Sequence, residues 1–153
     1  MQQQVKKKRK MNDIDKIYVG GTFDLFHVGH LNIIKAAKKI CNHVVVAVNG
    51  DFFSKSYKGD PPIINENERL EIVSSCKYVD EAFIVDTYES QREHILIISP
   101  KFILHGDDWK GESLYSQLNL TKDIIKDLKI EFVYSPYTKG ISTTEIKKKI
   151  LRS

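Results

Sequence analysis

The sequence predicts an α/β fold, a Rossmann-like doubly wound five-stranded parallel sheet with helices on both faces, in a single domain. Three observations carry this. Short β-branched runs alternate with amphipathic runs from residue 16 onward. One of them, residues 43–48, is apolar nearly throughout, as a strand buried on both faces requires. The unusual residues fall just after strand ends, at the rim where such sheets bind ligands. A chain of 153 residues, 41% hydrophobic and 29% charged, is large enough to bury a real core.

The first strand is read at Ile17, Tyr18 and Val19, and it runs into the glycine turn Gly20-Gly21. A helix follows from Leu31, with Ile33, Ala37 and Ile40 on one face, Ile34 beside them and lysines opposite. After the strand at 43–48, residues 49–64 read as a long loop carrying Lys55, Lys58, Gly59, Pro61 and Pro62; loops of that length are often functional. Asn65 with Glu68 caps a helix to residue 77, and a third strand occupies 82–85. Ser90 with Glu93 is expected to cap a helix through Ile98, ahead of a fourth strand at 102–104. Residues 110–119 read as a polar connection. A helix at 121–128, a fifth strand at 130–134 and a terminal helix at 143–151, opened by a capping box from Ser142 to Glu145, complete the chain.

The net charge of +4 is misleading as a whole-chain figure. Lys6, Lys7, Lys8, Arg9 and Lys10 contribute +5, so the remainder sums to −1. A broad nucleic-acid-binding face is therefore not expected. Residues 1–13 are expected to form a disordered basic tail, either a solvated leader or a nuclear-import signal, preceding a domain at 14–153. No apolar run approaches the roughly 20 residues of a membrane span, and no secretory segment follows the basic start, which implies a cytoplasmic protein. Cys41 and Cys76 lie in apolar helical patterns and are expected to be buried free thiols.

The chemistry concentrates in residues 20–30. His27 and His30, three apart at a helix start, can face one point. Gly29 between them permits close backbone approach, and the turn offers backbone N–H groups and the positive end of a helix. The pair could be half of a metal site, a structural cap, or donors to a phosphate. No cysteine or third histidine has the spacing to complete a metal site, so no protein-held metal is expected. Donors that stabilise charge on a transferring phosphoryl or nucleotidyl group are the favoured reading.

Gly21-Thr22-Phe23-Asp24 followed by His27-Val28-Gly29-His30 resembles the signature of the HxGH nucleotidyltransferases, and Gly140-Ile141-Ser142-Thr143-Thr144 resembles their second signature. Within that superfamily the chain looks like a cytidylyltransferase over residues 16–151. Lys58-Gly59, Asn65 to Arg69 and Tyr78 to Glu81 are similar to the phosphocholine and phosphoethanolamine enzymes, and Gly106-Asp107-Asp108-Trp109 to the glycerol-3-phosphate enzymes. The resemblance implies transfer of CMP from CTP, with Mg²⁺, to a small phosphorylated alcohol, glycerol 3-phosphate being the leading acceptor. It assigns catalysis to His27, His30 and Lys58. Nucleotide binding falls to Gly21, Thr22, Phe23, Gly29, Asp108, Tyr137, Gly140, Ile141, Ser142, Thr143 and Thr144, with Asp24 orienting the turn. Lys55, Arg69, Arg92 and Trp109 would meet the acceptor. A homodimer is also implied.

One departure stands out. The family usually has arginine where this chain has Tyr137, and glutamate where it has Lys139. A lysine cannot reproduce a bidentate guanidinium. Pro136 to Gly140 together with Gly106 to Trp109 also resembles cytidylyltransferase domains that act on phosphonates. The alternatives are thus a phosphonate, phosphocholine or phosphoethanolamine enzyme, an adenylyltransferase of the same fold, or a catalytically impaired nucleotide-binding module.

Overall fold

The computed structural model describes residues 14–106 and 112–153, and at 112 and 113 the backbone alone. The tail at 1–13 and the predicted site residues Asp108 and Trp109 lie outside the described residues. The elements run β1 (Lys16–Gly21), α1 (Val28–Ile40), β2 (His43–Asn49), α2 (Asp51–Lys58), α3 (Glu66–Ser74), β3 (Glu81–Val85), α4 (Tyr88–Ile98), β4 (Phe102–Gly106), α5 (Glu112–Leu118), α6 (Lys122–Asp127), β5 (Glu131–Ser135) and α7 (Thr143–Arg152).

The five strands form one parallel sheet in the order β3-β2-β1-β4-β5. Tyr18 pairs with Val45 on one side and with Ile103 on the other. The strand order therefore reverses between β1 and β4, and a crevice opens beyond their C-terminal ends. Because side chains alternate along a strand, the sheet has two apolar faces. Ile17, Val19, Val44, Val46, Val48 and Leu104 pack with Ile34 and Ala37 of α1. Tyr18, Ala47 and Ile103 pack on the other side with Phe53 of α2, Ile95 of α4, and Leu114 and Leu118 of α5. Among the described residues no helix is long and apolar enough to cross a membrane.

Several boundaries correct the sequence reading. Residues 51–58 are helix α2, not open loop. Gly50 supplies no side-chain cap there; Glu66, fifteen residues on, accepts the Asp51 N–H at 2.7 Å, so no local signal marks the start. Helix α5 replaces part of the expected polar connection, anchored by only two buried leucines one turn apart. Helix α4 begins at Tyr88, its cap Thr87 lying three residues before the expected Ser90. Thr87 accepts from Ser90 N while Ser90 Oγ accepts from Thr87 N, and this reciprocal pair outcompetes Ser90 with Glu93. Helix α3 ends at Ser74, short of residue 77. Both cysteines are free, but only Cys41 is buried and Cys76 is half-buried.

Candidate active site

The turn joining β1 to α1 is strained. Phe23 and Leu25 take φ of 57° and 49°, the left-handed region that costs a non-glycine residue about 1 kcal/mol or more. Tertiary contacts hold it there. The Asp24 carboxylate, buried inside the turn, accepts from the backbone N–H of Leu25 at 3.1 Å, Ile63 at 2.8 Å and Ile64 at 3.0 Å. Its carbonyl accepts from Thr143 Oγ1 at 2.9 Å. Asp24 therefore ties the turn to residues 63 and 64 and to the start of α7.

Arg69 was expected at the acceptor, and the structure assigns it other work. It is 1% exposed. Nε donates to Ile64 O at 2.8 Å, Nη1 to Thr22 O at 2.6 Å and Asn49 O at 2.7 Å, and Nη2 to Asp51 at 2.7 Å. Few donors remain for a substrate. The guanidinium ties the turn, the end of β2, the start of α2 and the segment before α3 into one piece.

The two histidines cap α1 reciprocally. His27 is the N-cap, and its Nδ1 accepts from Gly29 N at 3.0 Å. His30 Nδ1 accepts from His27 N at 3.3 Å. Both Nδ1 atoms are acceptors, so each neutral ring carries its proton on Nε2. The rings stack with centroids 3.8 Å apart. Gly29 makes this possible, since a Cβ there would lie 2.7 Å from His27 Cε1. The pair is thus a structural cap, and capping through Nδ1 leaves Nε2–H as each ring's donor, that of His27 facing Thr143 Oγ1.

Burial is the main cause that pushes His30 down to about 4, with the charges of His27 and Lys58 adding to it and Asp24 opposing. Burial also lowers His27. At neutral pH both rings are neutral hydrogen-bond donors. A negative charge placed beside them would favour protonation.

A cavity of about 220 Å³ lies beyond β1 and β4 at the point where the strand order reverses. Gly21, Phe23, His30, Lys58 and Tyr137 line it, so the structure gathers these five predicted residues. Three others lining it had no motif to announce them: Asn49, Tyr57 and Gln117. Asn49 could have been suspected as the polar residue ending an apolar strand. Tyr57 OH accepts from Asn49 Nδ2 at 2.8 Å and shares a hydrogen bond with Thr22 Oγ1 at 3.0 Å, so α2 is latched to the turn.

The second signature packs over the first. A Cβ at Gly29 would touch Ile141 at 3.5 Å, and Thr143 Oγ1 lies 3.4 Å from His27 Nε2. Ser142 caps α7 by accepting from Glu145 N at 3.0 Å. Gly140 turns the chain there with φ of 78°, and Thr144 is exposed in the first turn. The remaining two lie elsewhere. Lys55 is exposed on α2 and does not line the cavity. Arg92 lines a separate cleft with Tyr115, Thr121 and Lys122.

The sequence model of the cytidylyltransferase-like family matches residues 18–149, which is almost all of the described chain. The chain belongs to the cytidylyltransferase-like family. It is accordingly a nucleotidyltransferase, acting on a nucleotide and a phosphorylated substrate. It is 34% identical over 135 residues to a glycerol-3-phosphate cytidylyltransferase of Bacillus subtilis, covering 88% of this chain and 96% of that one. It is likewise 34% identical to an ethanolamine-phosphate cytidylyltransferase of Dictyostelium discoideum, of which it spans 37%. Among solved structures, a lipopolysaccharide core biosynthesis protein of Thermoplasma volcanium superposes with a TM-score of 0.63 at 28% identity, over 84% of this chain and 99% of that one.

Proposed function

We propose that this cytidylyltransferase-like chain transfers CMP from CTP to a small phosphorylated alcohol, with glycerol 3-phosphate the leading acceptor. The observation that carries it is His30, stacked on His27, lining with Lys58 the cavity at the reversal point, on a chain similar to a glycerol-3-phosphate enzyme over nearly its whole length. An acceptor phosphate oxygen attacks the α-phosphorus in line, the bond to the β-phosphate breaks, and pyrophosphate leaves. No protein nucleophile takes part. His27, His30, Lys58 and the N–H groups at the starts of α1 and α7 offset the repulsion between two anions and the charge that grows on the leaving group.

Among the described residues no group of three histidine, cysteine, aspartate or glutamate side chains converges on one point, and Asp24 is already occupied by N–H groups. Mg²⁺ is proposed to accompany CTP on the family resemblance, with no ligand set on the protein assigned to it. When bound, it neutralises phosphate charge. Phosphoethanolamine is the second acceptor, supported by the Dictyostelium relative. A cytoplasmic homodimer completes the proposal; light scattering that reports a monomer would overturn the dimer.

The test is calorimetry with CTP and ATP, followed by pyrophosphate release with a panel of phospho-alcohols and a phosphonate. CTP preference and turnover with glycerol 3-phosphate are expected, falling about 10²–10³-fold in folded His27→Ala and His30→Ala. Near-normal turnover in both variants refutes the mechanism. CTP binding without turnover on any acceptor identifies a nucleotide-binding module instead.

A further inference from the structure

Helix α2 is short, and its two halves are held differently. Isolated helices of fewer than about 12 residues are marginal in water, so each turn needs contacts from elsewhere in the fold. The first turn has them. Phe53 is buried and meets Tyr88 edge-on at 4.8 Å, Ser54 is fully buried, and Asp51 is held by Arg69 at 2.7 Å and donates its N–H to Glu66. The last turn lies open. Lys55, Ser56 and Lys58 are exposed, and Gly59, which ends the helix, has no atom within 4 Å of the place a Cβ would take. Yet this turn carries Lys58, which lines the cavity together with His30.

Tyr57 ties that turn down. Its ring packs edge-on against Phe53, with centroids 5.5 Å apart, and its hydroxyl reaches two residues of other elements. Asn49, the last residue of β2, donates from Nδ2 at 2.8 Å, which leaves the phenol's own proton for Thr22 Oγ1 at 3.0 Å. Both partners belong to the piece that Arg69 assembles, since its guanidinium also binds the backbone carbonyls of Thr22 and Asn49. The Lys58 ammonium in turn sits over the Tyr57 ring, 5.8 Å from its centroid and within the range of a cation–π contact. The charge of Lys58 is felt at His30, where it adds to the burial that keeps the ring neutral.

We propose that Tyr57 is a positioning residue for the transfer. Its hydroxyl holds the last turn of α2 to the end of β2 and to the turn after β1, and its ring face holds the Lys58 ammonium beside the cavity. The inference rests on the cytidylyltransferase reading above, in which Lys58 meets phosphate charge. A lysine is a point charge on a flexible four-carbon stem, so what it contributes depends on where its base is fixed. Phenylalanine at this position would keep the ring and its contact with Phe53 and lose the hydroxyl alone. The end of α2 would then swing, and Lys58 with it. Tyr57 acts through Lys58 and needs no contact with a reacting atom.

The experiment is a double-mutant cycle on the full chain: wild-type protein, Tyr57→Phe, Lys58→Met and the double variant, each shown to be folded by a melting curve. Pyrophosphate release is measured with CTP and either sn-glycerol 3-phosphate or phosphoethanolamine. Tyr57→Phe is expected to lower kcat/KM for CTP about five- to tenfold, the worth of one net hydrogen bond, when Lys58 is present. Once Lys58 is gone the same change should cost less than about twofold. An equal loss in both backgrounds would make Tyr57 a structural residue or a ligand contact and overturn the inference, as would no loss at all in Tyr57→Phe. Titration of the His30 ring by NMR reads the same coupling without substrate. Lys58 lowers the pKa of that ring, so a helix end that swings away raises it. A rise is expected in Tyr57→Phe and in Lys58→Met, with no further rise in the double variant; a rise from Tyr57→Phe that persists without Lys58 overturns the inference. Wild-type protein that releases no pyrophosphate with either acceptor would remove the transfer reading, and the titration would still decide whether Tyr57 positions Lys58.

Discussion

Replacing Gly29 by alanine should separate catalysis from stability. In a helix interior alanine is favoured over glycine by about 1 kcal/mol. Here the new Cβ would lie 2.7 Å from His27 Cε1 and 2.9 Å from Nδ1, distances that side chains do not tolerate. The neighbour that must give way is the imidazole, which can rotate outward, whereas the helix backbone cannot. Rotation breaks the 3.0 Å bond from Gly29 N to Nδ1 and removes an N-cap worth about 1 kcal/mol. Gain and loss nearly cancel, so the urea midpoint should move little. Turnover should not be spared. With Nδ1 released, the ring loses its fixed tautomer and its stacking on His30, and one of two preorganised donors is gone, a loss of about 10²–10³-fold in kcat. Pyrophosphate release and urea unfolding on the same sample test both halves. A Gly29→Ala protein with normal kcat would refute the claim that the cap aims the catalytic ring. One that is inactive because it is unfolded would refute the balance of energies.

Arg69→Met keeps the apolar stem and deletes every donor. It strands the carbonyls of Thr22, Asn49 and Ile64 and the Asp51 carboxylate. The Asp51 side chain is 39% exposed and water can replace its partner, so the cost comes from the stranded carbonyls, about 3–5 kcal/mol or a fall in Tm of about 10 °C, and a change below about 1 kcal/mol would show that the network is dispensable. His30 predicts a pH dependence of stability. Its pKa is near 4 in the folded chain and about 6.5 when unfolded, so between those values the unfolded chain binds more protons and stability falls as pH falls. The loss is on the order of 3 kcal/mol, nearly all of it by about pH 4. His30→Asn should flatten that limb in thermal melts at pH 7 and 4.5, and an unchanged slope would show that other groups cause it.

The alternation of strands and helices was legible because each strand carries its own β-branched run and each face its own period. The histidine turn was legible because its capping residues are local. What escaped was specified across the chain. The start of α2 is capped by Glu66, and the role of Arg69 is written in carbonyls contributed by Thr22, Asn49 and Ile64, which any residue could supply. Tyr57 and Gln117 reach the cavity through helices that hold only a few buried apolar residues each, too few to set a visible period. Arg92 was expected at the acceptor from the family resemblance alone, and the fold carries it to another cleft.

The guanidinium of Arg69 also bears on how the site comes into being. It joins backbone positions 47 and 20 residues away in the chain, and the left-handed turn it supports is unfavourable by itself. The signature peptide cut from the protein would therefore relax out of its shape. The shape of the histidine turn is thus a property of the chain with α3 in place, and not of the signature residues alone.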